Sequence, residues 1–138
     1  MKFSIRSIFL LLLLFTFGNA NEYRYSENLE LSKDEHKIFL VKYAKNEKLF
    51  KFRWTLYANG GLVVLRSYDR IVAQNTLFLR AKKRSIKVDL MPKGAGYGNV
   101  PHILIKFIEY DYAKNKAIFK LLLADKNLEV NLEHFEDR

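Results

Sequence analysis

The residues of this chain that could do chemistry are few, and the densest group is basic. Five positive charges fall within eight residues, at Arg80, Lys82, Lys83, Arg84 and Lys87. At the tip of a hairpin these side chains would converge, and each Lys or Arg beside an anionic surface contributes about 1 kcal/mol of binding. A solvated turn that discourages edge aggregation has the same composition. The segment is therefore a candidate anion-binding site, with a solvated turn as the alternative.

A second candidate is the glycine-rich stretch between Pro92 and Pro101. Phosphate-binding glycine loops need a helix N-terminus directly after them to supply oriented N–H groups, and a strand is expected here instead. We predict a flexible connection, with a ligand-binding or partner-binding loop as the alternative. The candidate residues of that loop are Lys93, Gly94, Gly96, Tyr97, Gly98 and Asn99.

Residues for metal binding or covalent catalysis form no motif. His36, His102 and His134 are far apart, and no zinc-type spacing links them. The chain has no cysteine, which excludes a cysteine nucleophile and a disulfide framework. No Gly-x-Ser-x-Gly elbow is present. We therefore expect no cofactor, no metal and no enzymatic activity. The carboxylates that could pair for acid-base work, without a motif, are Asp34, Glu109, Asp111 and Asp125.

The N-terminus has the order of a secretory signal. Lys2 and Arg6 precede an apolar run over residues 8–17, and Gly18-Asn19-Ala20 supplies the small residues of a cleavage site. The apolar run is too short for a bilayer core, which needs roughly 20 apolar residues. We expect residues 1–20 to be a signal peptide cleaved after Ala20. Residues 21–138 would then be a single exported β domain, soluble in a bacterial periplasm.

The charge balance is strongly basic. The chain carries 24 Lys plus Arg against 15 Asp plus Glu, a formal net charge of +9, and removal of the signal would lower it by only two. A basic field attracts anionic lipid, lipopolysaccharide, peptidoglycan and acidic protein surfaces. Nucleic acid is not expected as a partner, because the chain is exported. Solubility alone is the alternative reason for a Lys-rich surface.

Period-2 alternation between residues 50 and 56 predicts a strand with one buried face. The Asn59-Gly60 pair that follows favours a type I′ hairpin turn, because both central residues need positive φ. The residues placed on the buried face are Phe50, Phe52, Trp54 and Leu56.

Similar patterns extend along the chain. Both Tyr43–Asn46 and Tyr112–Asn115 read Tyr-Ala-Lys-Asn and predict further hairpin turns. Residues 128–133 alternate apolar and polar side chains, with acidic residues among the polar ones, as an edge strand does. Residues 33–44 remain open between strand and helix, because Ser32 to Glu35 has capping-box spacing, and residues 71–75 are equally ambiguous. We expect a mainly β fold, an antiparallel meander of about seven to eight short strands forming a sandwich or small barrel, with at most one short helix.

The function expected from these features is non-enzymatic binding. We predict a binding, scaffold or accessory module of the bacterial cell envelope that docks on a protein assembly, where exposed strand edges permit strand addition. One alternative is a carrier of a small apolar ligand or lipid in a β-barrel, which requires an internal cavity of several hundred Å³. The other is a binder of an anionic envelope surface through residues 80–87. The sequence does not predict the oligomeric state.

Overall fold

The computed structural model describes residues 23–80, 82–91, 100–125 and 128–136, and this part of the chain is built from β-strands. No helix occurs within these ranges, which confirms the mainly β prediction. The strands are β1 (Tyr25–Ser32), β2 (Lys37–Tyr43), β3 (Asn46–Ala58), β4 (Gly61–Tyr68), β5 (Ile71–Phe78), β6 (Ser85–Asp89), β7 (His102–Asp111), β8 (Lys116–Ala124) and β9 (Val130–His134).

The nine strands form two antiparallel sheets. The four-stranded sheet has the order β1-β8-β7-β6, and the five-stranded sheet has the order β5-β4-β3-β2-β9. Hairpins join β2 through β5 and β6 through β8, whereas three connections pass between the sheets, after β1, β5 and β8. The described residues thus contain nine strands, where about seven to eight were expected. The ambiguous residues 71–75 belong to β5, which is a continuous strand.

The two sheets face each other across one aromatic core, so the fold is a sandwich. Phe52 of β3 meets Phe119 of β8 edge to face, with ring centroids 5.5 Å apart, and both side chains are buried. Trp54 is also buried, and its indole N–H donates to the Leu31 carbonyl at 2.8 Å. Burial of each large apolar side chain contributes about 1.5–3 kcal/mol. The apolar faces predicted by alternation therefore supply the main cohesion between the sheets.

The tight turns follow the predicted chemistry. Asn59 and Gly60 both have positive φ, at 53° and 77°, and they close the β3–β4 hairpin between Ala58 and Gly61. This agrees with the type I′ turn that Asn-Gly favours. Both Tyr-Ala-Lys-Asn segments also lie at turns, between β2 and β3 and between β7 and β8.

The helix alternative for residues 33–44 is wrong, although its local signal forms. The Ser32 N–H donates to the Glu35 carboxylate at 2.8 Å, as in a capping box. These residues make a turn in which Asp34 has a φ of 62°, and β2 begins at Lys37. Because β2 lies between β3 and β9 and buries Phe39, sheet pairing outweighs the local helix signal.

A β-bulge corrects one predicted core position. The β3–β4 register shifts between Trp54 and Leu56, so Thr55 is an extra residue. The shift turns Leu56 outward, where its side chain is 52% exposed, and brings the half-buried Tyr57 to the core side. A matching shift occurs in β7 between Phe107 and Glu109. Strict alternation could not locate these extra residues.

Two predictions concern residues outside the described ranges. The signal peptide predicted at residues 1–20 lies there, and so do all six candidate residues of the glycine-rich loop, from Lys93 to Asn99. Within the described residues, no helix has both the length and the apolar character needed to span a membrane.

Candidate binding surfaces

The basic segment 80–87 connects the two sheets. β5 ends in the five-stranded sheet and β6 begins in the four-stranded sheet, so the segment between them is a crossover. The Phe78 N–H donates to the Lys83 carbonyl at 2.9 Å and holds this crossover against the end of β5. The predicted convergence of the five charges required a hairpin tip, but β5 and β6 belong to different sheets and form no hairpin. The structure distributes those charges: Arg80 lines a cleft, Lys82 and Lys83 are exposed, and Lys87 lies on β6.

Arg84 has a structural partner that the sequence did not predict. Its Nε donates to the Phe107 carbonyl at 2.8 Å and its Nη2 donates to the Ile108 carbonyl at 3.2 Å. The Arg84 carbonyl in turn accepts the Phe107 N–H at 2.9 Å. Because the β7 bulge disrupts normal pairing here, the guanidinium satisfies carbonyls that the ladder leaves unpaired. Arg84 therefore anchors the crossover to β7.

A row of hydrogen-bond donors crosses the outer face of the four-stranded sheet. Lys106 of β7 lies directly opposite Lys120 of β8, and Ser85 and Asn28 flank this pair on β6 and β1. We call these four residues the basic row. A surface cleft of about 460 Å³ lies over Ser85, Lys106 and Lys120 of this row, with Arg84 in its wall. Lys106 and Lys120 could not be recognised from the sequence, because they adjoin Arg84 only after the strands pair.

A second cleft, also about 460 Å³, lies at one end of the sandwich and is lined by tyrosines. The rings of Tyr57 and Tyr110 stack with centroids 4.2 Å apart, and the Tyr57 and Tyr112 hydroxyls are 3.1 Å apart. That hydrogen bond raises the pKa of Tyr57, and partial burial raises it further. Tyr57 and Tyr110 each follow one of the two bulges. The remaining residues of this tyrosine cleft are Asn59, Gly60, Phe78, Leu79, Arg80 and Glu109.

The edge strand β5 is unusual in its side chains. Its sequence, IVAQNTLF, has no charged residue and no proline, whereas the other three edge strands, β1, β6 and β9, all carry charges. Ile71 and Val72 are 68% and 74% exposed, and Gln74 and Thr76 are exposed as well. Edge strands are normally protected by charges, proline or bulges. β5 has none of these protections.

The backbone of β5 presents free hydrogen-bonding groups. In antiparallel pairs, successive residues direct their N–H and C=O alternately toward and away from the partner strand. The Phe78 N–H points away from β4, since it donates to Lys83. By that alternation, Val72, Gln74 and Thr76 also direct their backbone groups away from β4. Among the described residues, none pairs with these three backbones.

The histidines occupy three separate environments. His102 is buried, with Nδ1 3.3 Å from the Val100 carbonyl, whereas His36 is exposed. His134 Nε2 lies 2.9 Å from the Glu27 carboxylate and links β9 to β1. In the part of the chain that the structure describes, no three His, Asp or Glu residues come together as a metal site.

The four carboxylates considered for acid-base chemistry lie in different contacts. Asp34 faces Arg53 at 4.0 Å, and Asp125 pairs with Arg24 at 3.2 Å. The Asp111 carboxylate accepts two backbone N–H groups in the turn that follows β7. Glu109 lines the tyrosine cleft.

Comparisons with protein-family models, with curated proteins and with solved structures find no match to this chain.

Proposed function

We propose that this protein is a non-enzymatic binding module of the bacterial cell envelope that docks on another protein by accepting one of its strands along β5. The observation that carries the proposal is the uncharged edge of β5, where the outward backbone groups of Val72, Gln74 and Thr76 have no partner among the described residues. Strand addition uses such an edge, because main-chain hydrogen bonds give affinity and neighbouring pockets give specificity. The placement in the envelope rests on the signal-like order of residues 1–20.

The charges that flank β5 favour a partner protein over a second copy of this chain. Arg70 precedes the strand, and Arg80, Lys82 and Lys83 follow it; all four are exposed. Asp69 is already paired with Lys48 at 2.8 Å. Two copies joined antiparallel along β5 would bring the cations of one near those of the other. The preferred occupant is therefore an extended segment of another protein with an uncharged centre and acidic flanks.

The tyrosine cleft supplies the pocket that strand addition needs for specificity. Phe78 ends β5, and Phe78, Leu79 and Arg80 form part of the cleft wall. A segment paired along β5 that continues past Phe78 reaches this cleft. Tyr112 is 72% exposed there, so its ring is available for contact with a side chain of the partner. Aromatic residues and Arg are the types enriched where binding energy concentrates.

The interior supports docking over the carrier alternative. A carrier needs an internal cavity of several hundred Å³. Between these sheets, five phenylalanines are at most 1% exposed and fill the core along with Leu and Ile side chains. The tyrosine cleft and the cleft beside Arg84 have that size, and both lie at the surface. The five phenylalanines are Phe39, Phe50, Phe52, Phe107 and Phe119.

The test blocks the free edge of β5 without removing a bond of the fold. Gln74→Pro deletes an N–H that points away from β4, so the β4–β5 ladder loses no hydrogen bond. Gln74→Ala, the matched control, keeps the N–H. We expect the wild-type protein and Gln74→Ala to recover the same partner from crosslinked envelope fractions, and Gln74→Pro to recover none.

Amide hydrogen exchange in the recovered complex locates the contact. The amides of Val72, Gln74 and Thr76 should exchange more slowly in the complex than in the free protein. Undiminished recovery by a folded Gln74→Pro variant would contradict docking along β5. Sedimentation of the wild-type protein should give a monomer. If it gives a dimer that Gln74→Pro abolishes, the occupant of β5 would be a second copy of this chain and not another protein.

A further inference from the structure

The outer face of the four-stranded sheet holds a pair of like charges that the fold does not neutralise. Lys106 and Lys120 are directly opposite in the β7–β8 register. Side chains at such positions have Cβ atoms about 4.5–5.5 Å apart, and like charges there are destabilising. Among the described residues, no carboxylate lies within 4.0 Å of either ammonium group.

The nearest acids on this face are placed elsewhere. Glu30, opposite Ile118 in the next row, pairs with Lys114 at 3.6 Å. Glu109 also lies opposite Ile118, across the β7–β8 ladder, and it lines the tyrosine cleft. The two lysines thus form a concentrated positive site that has no ion-pair partner among the described residues.

We propose that the basic row binds phosphate groups of an anionic lipid surface. Two ammonium groups, the Ser85 hydroxyl and the Asn28 amide offer donors in a line across four strands. At a strand spacing of about 4.8 Å, the line extends about 14 Å. The Arg84 guanidinium stands in the wall of the cleft over the row and is held by two carbonyls. A phosphate accepts several such donors at once.

The shape of the site favours a lipid surface as the source of phosphate. The row lies on the open outer face of a sheet; Lys87 of β6 faces the same side, where it pairs with Asp89 at 4.0 Å. Two adjacent lysines on an open face match a plane of headgroups, to which each of them contributes through its charge. The site goes beyond the proposed docking along β5, since β5 belongs to the other sheet and stays free.

The test measures binding to vesicles of phosphatidylglycerol mixed with phosphatidylcholine. Lys106→Glu and Lys120→Glu should each weaken binding about fivefold or more. Lys45→Glu is the matched control, since Lys45 is exposed in the β2–β3 turn and its reversal changes the net charge equally. All variants keep the same N-terminus, so differences among them report on the sheet face alone.

A stability measurement separates lost binding from lost folding. Because Lys106→Glu places opposite charges across the β7–β8 ladder, its melting temperature should equal or exceed that of the wild type. Equal weakening by Lys45→Glu would overturn the site, as would undiminished binding to vesicles of phosphatidylcholine alone. Full competition by millimolar inorganic phosphate would overturn the lipid source and assign the row to soluble phosphate.

Discussion

The two sides of the sandwich are closed in different ways. On one side, β1 and β9 are joined through polar side chains: His134 Nε2 of β9 lies 2.9 Å from the Glu27 carboxylate of β1, and the Tyr25 hydroxyl, also on β1, donates to that carboxylate and holds it in place. On the other side, β5 and β6 are joined through the backbone of the crossover, where Lys83 accepts from Phe78. We call them the closed side and the open side. Charged side chains occupy the edges of the closed side, whereas β5 keeps its edge backbone available.

The contrast between the two sides indicates where the fold can accept a partner. Charged edges discourage pairing with other chains, so β1 and β9 are protected. β5 has no charged residue along its length, and Phe78 at its end lines the tyrosine cleft. A fold that protects three edges and leaves the fourth unprotected supports binding at the fourth.

The largest loss of stability is expected from a proline at a position of β5 whose N–H bonds to β4. Ala73 is next to Gln74, but its N–H points toward Arg66 of β4. Ala73→Pro should lower the free energy of unfolding by about 2 kcal/mol, because a ladder bond is lost and the Arg66 carbonyl is left without its donor. Gln74→Pro should lower it by less than about 1 kcal/mol. Urea unfolding measures both, and equal losses would show that Gln74 also donates within the fold.

A smaller effect concerns the anchor of the crossover. Arg84→Ala removes two hydrogen bonds to the carbonyls of Phe107 and Ile108. The free energy of unfolding should fall by about 1–2 kcal/mol. The control Lys82→Ala, at an exposed neighbour in the same crossover, should change it by less than about 0.5 kcal/mol. If the free energy of unfolding is the same for both variants, Arg84 does not anchor the crossover to β7.

The smallest expected change in stability concerns Tyr25 on the closed side and occurs at alkaline pH. Partial burial, then the hydrogen bond to Glu27, raises the pKa of Tyr25 from 10.0 to about 12. Between these values the unfolded chain loses the phenolic proton while the folded chain retains it, so stability falls as pH rises from 10 to 12. The stability that folding gains from keeping Tyr25 protonated is fully present below pH 10.

Tyr25→Phe should make the alkaline fall in the free energy of unfolding shallower without removing it. A slope remains, because burial also raises the pKa of Tyr68 and the hydrogen bond to Tyr112 raises that of Tyr57. Urea unfolding across the alkaline range gives the slope for both proteins. An unchanged slope in Tyr25→Phe would show that Tyr25 does not contribute to the alkaline loss of stability.

The sequence predicts those features that depend on neighbouring residues. Alternation identifies Phe50, Phe52 and Trp54 as core, and Asn59-Gly60 identifies a turn, because period and φ preference are local properties. Alternation fails at Leu56, since an inserted bulge residue inverts the faces beyond it. The sheet to which each strand belongs is a tertiary property, so the basic crossover resembles a hairpin tip in the sequence.

The basic row escapes prediction for a related reason. Near the β7–β8 turn, Asp111 pairs with Lys116, and without a bulge this register would place Lys106 opposite Leu121. The extra residue at Ile108 shifts the pairing by one and places Lys106 opposite Lys120. A one-residue shift changes every cross-strand partner beyond it. The sequence contains both lysines but does not reveal that they face each other.

The position of Trp54 gives the protein an intrinsic optical reporter. It is the only tryptophan in the chain, it is 3% exposed, and its ring lies edge-on to Tyr110 with centroids 5.7 Å apart. Tyr110 lines the tyrosine cleft, so its movement changes the surroundings of the indole. We therefore expect the fluorescence emission of Trp54 to change when the cleft is occupied or the sandwich opens, without an added dye.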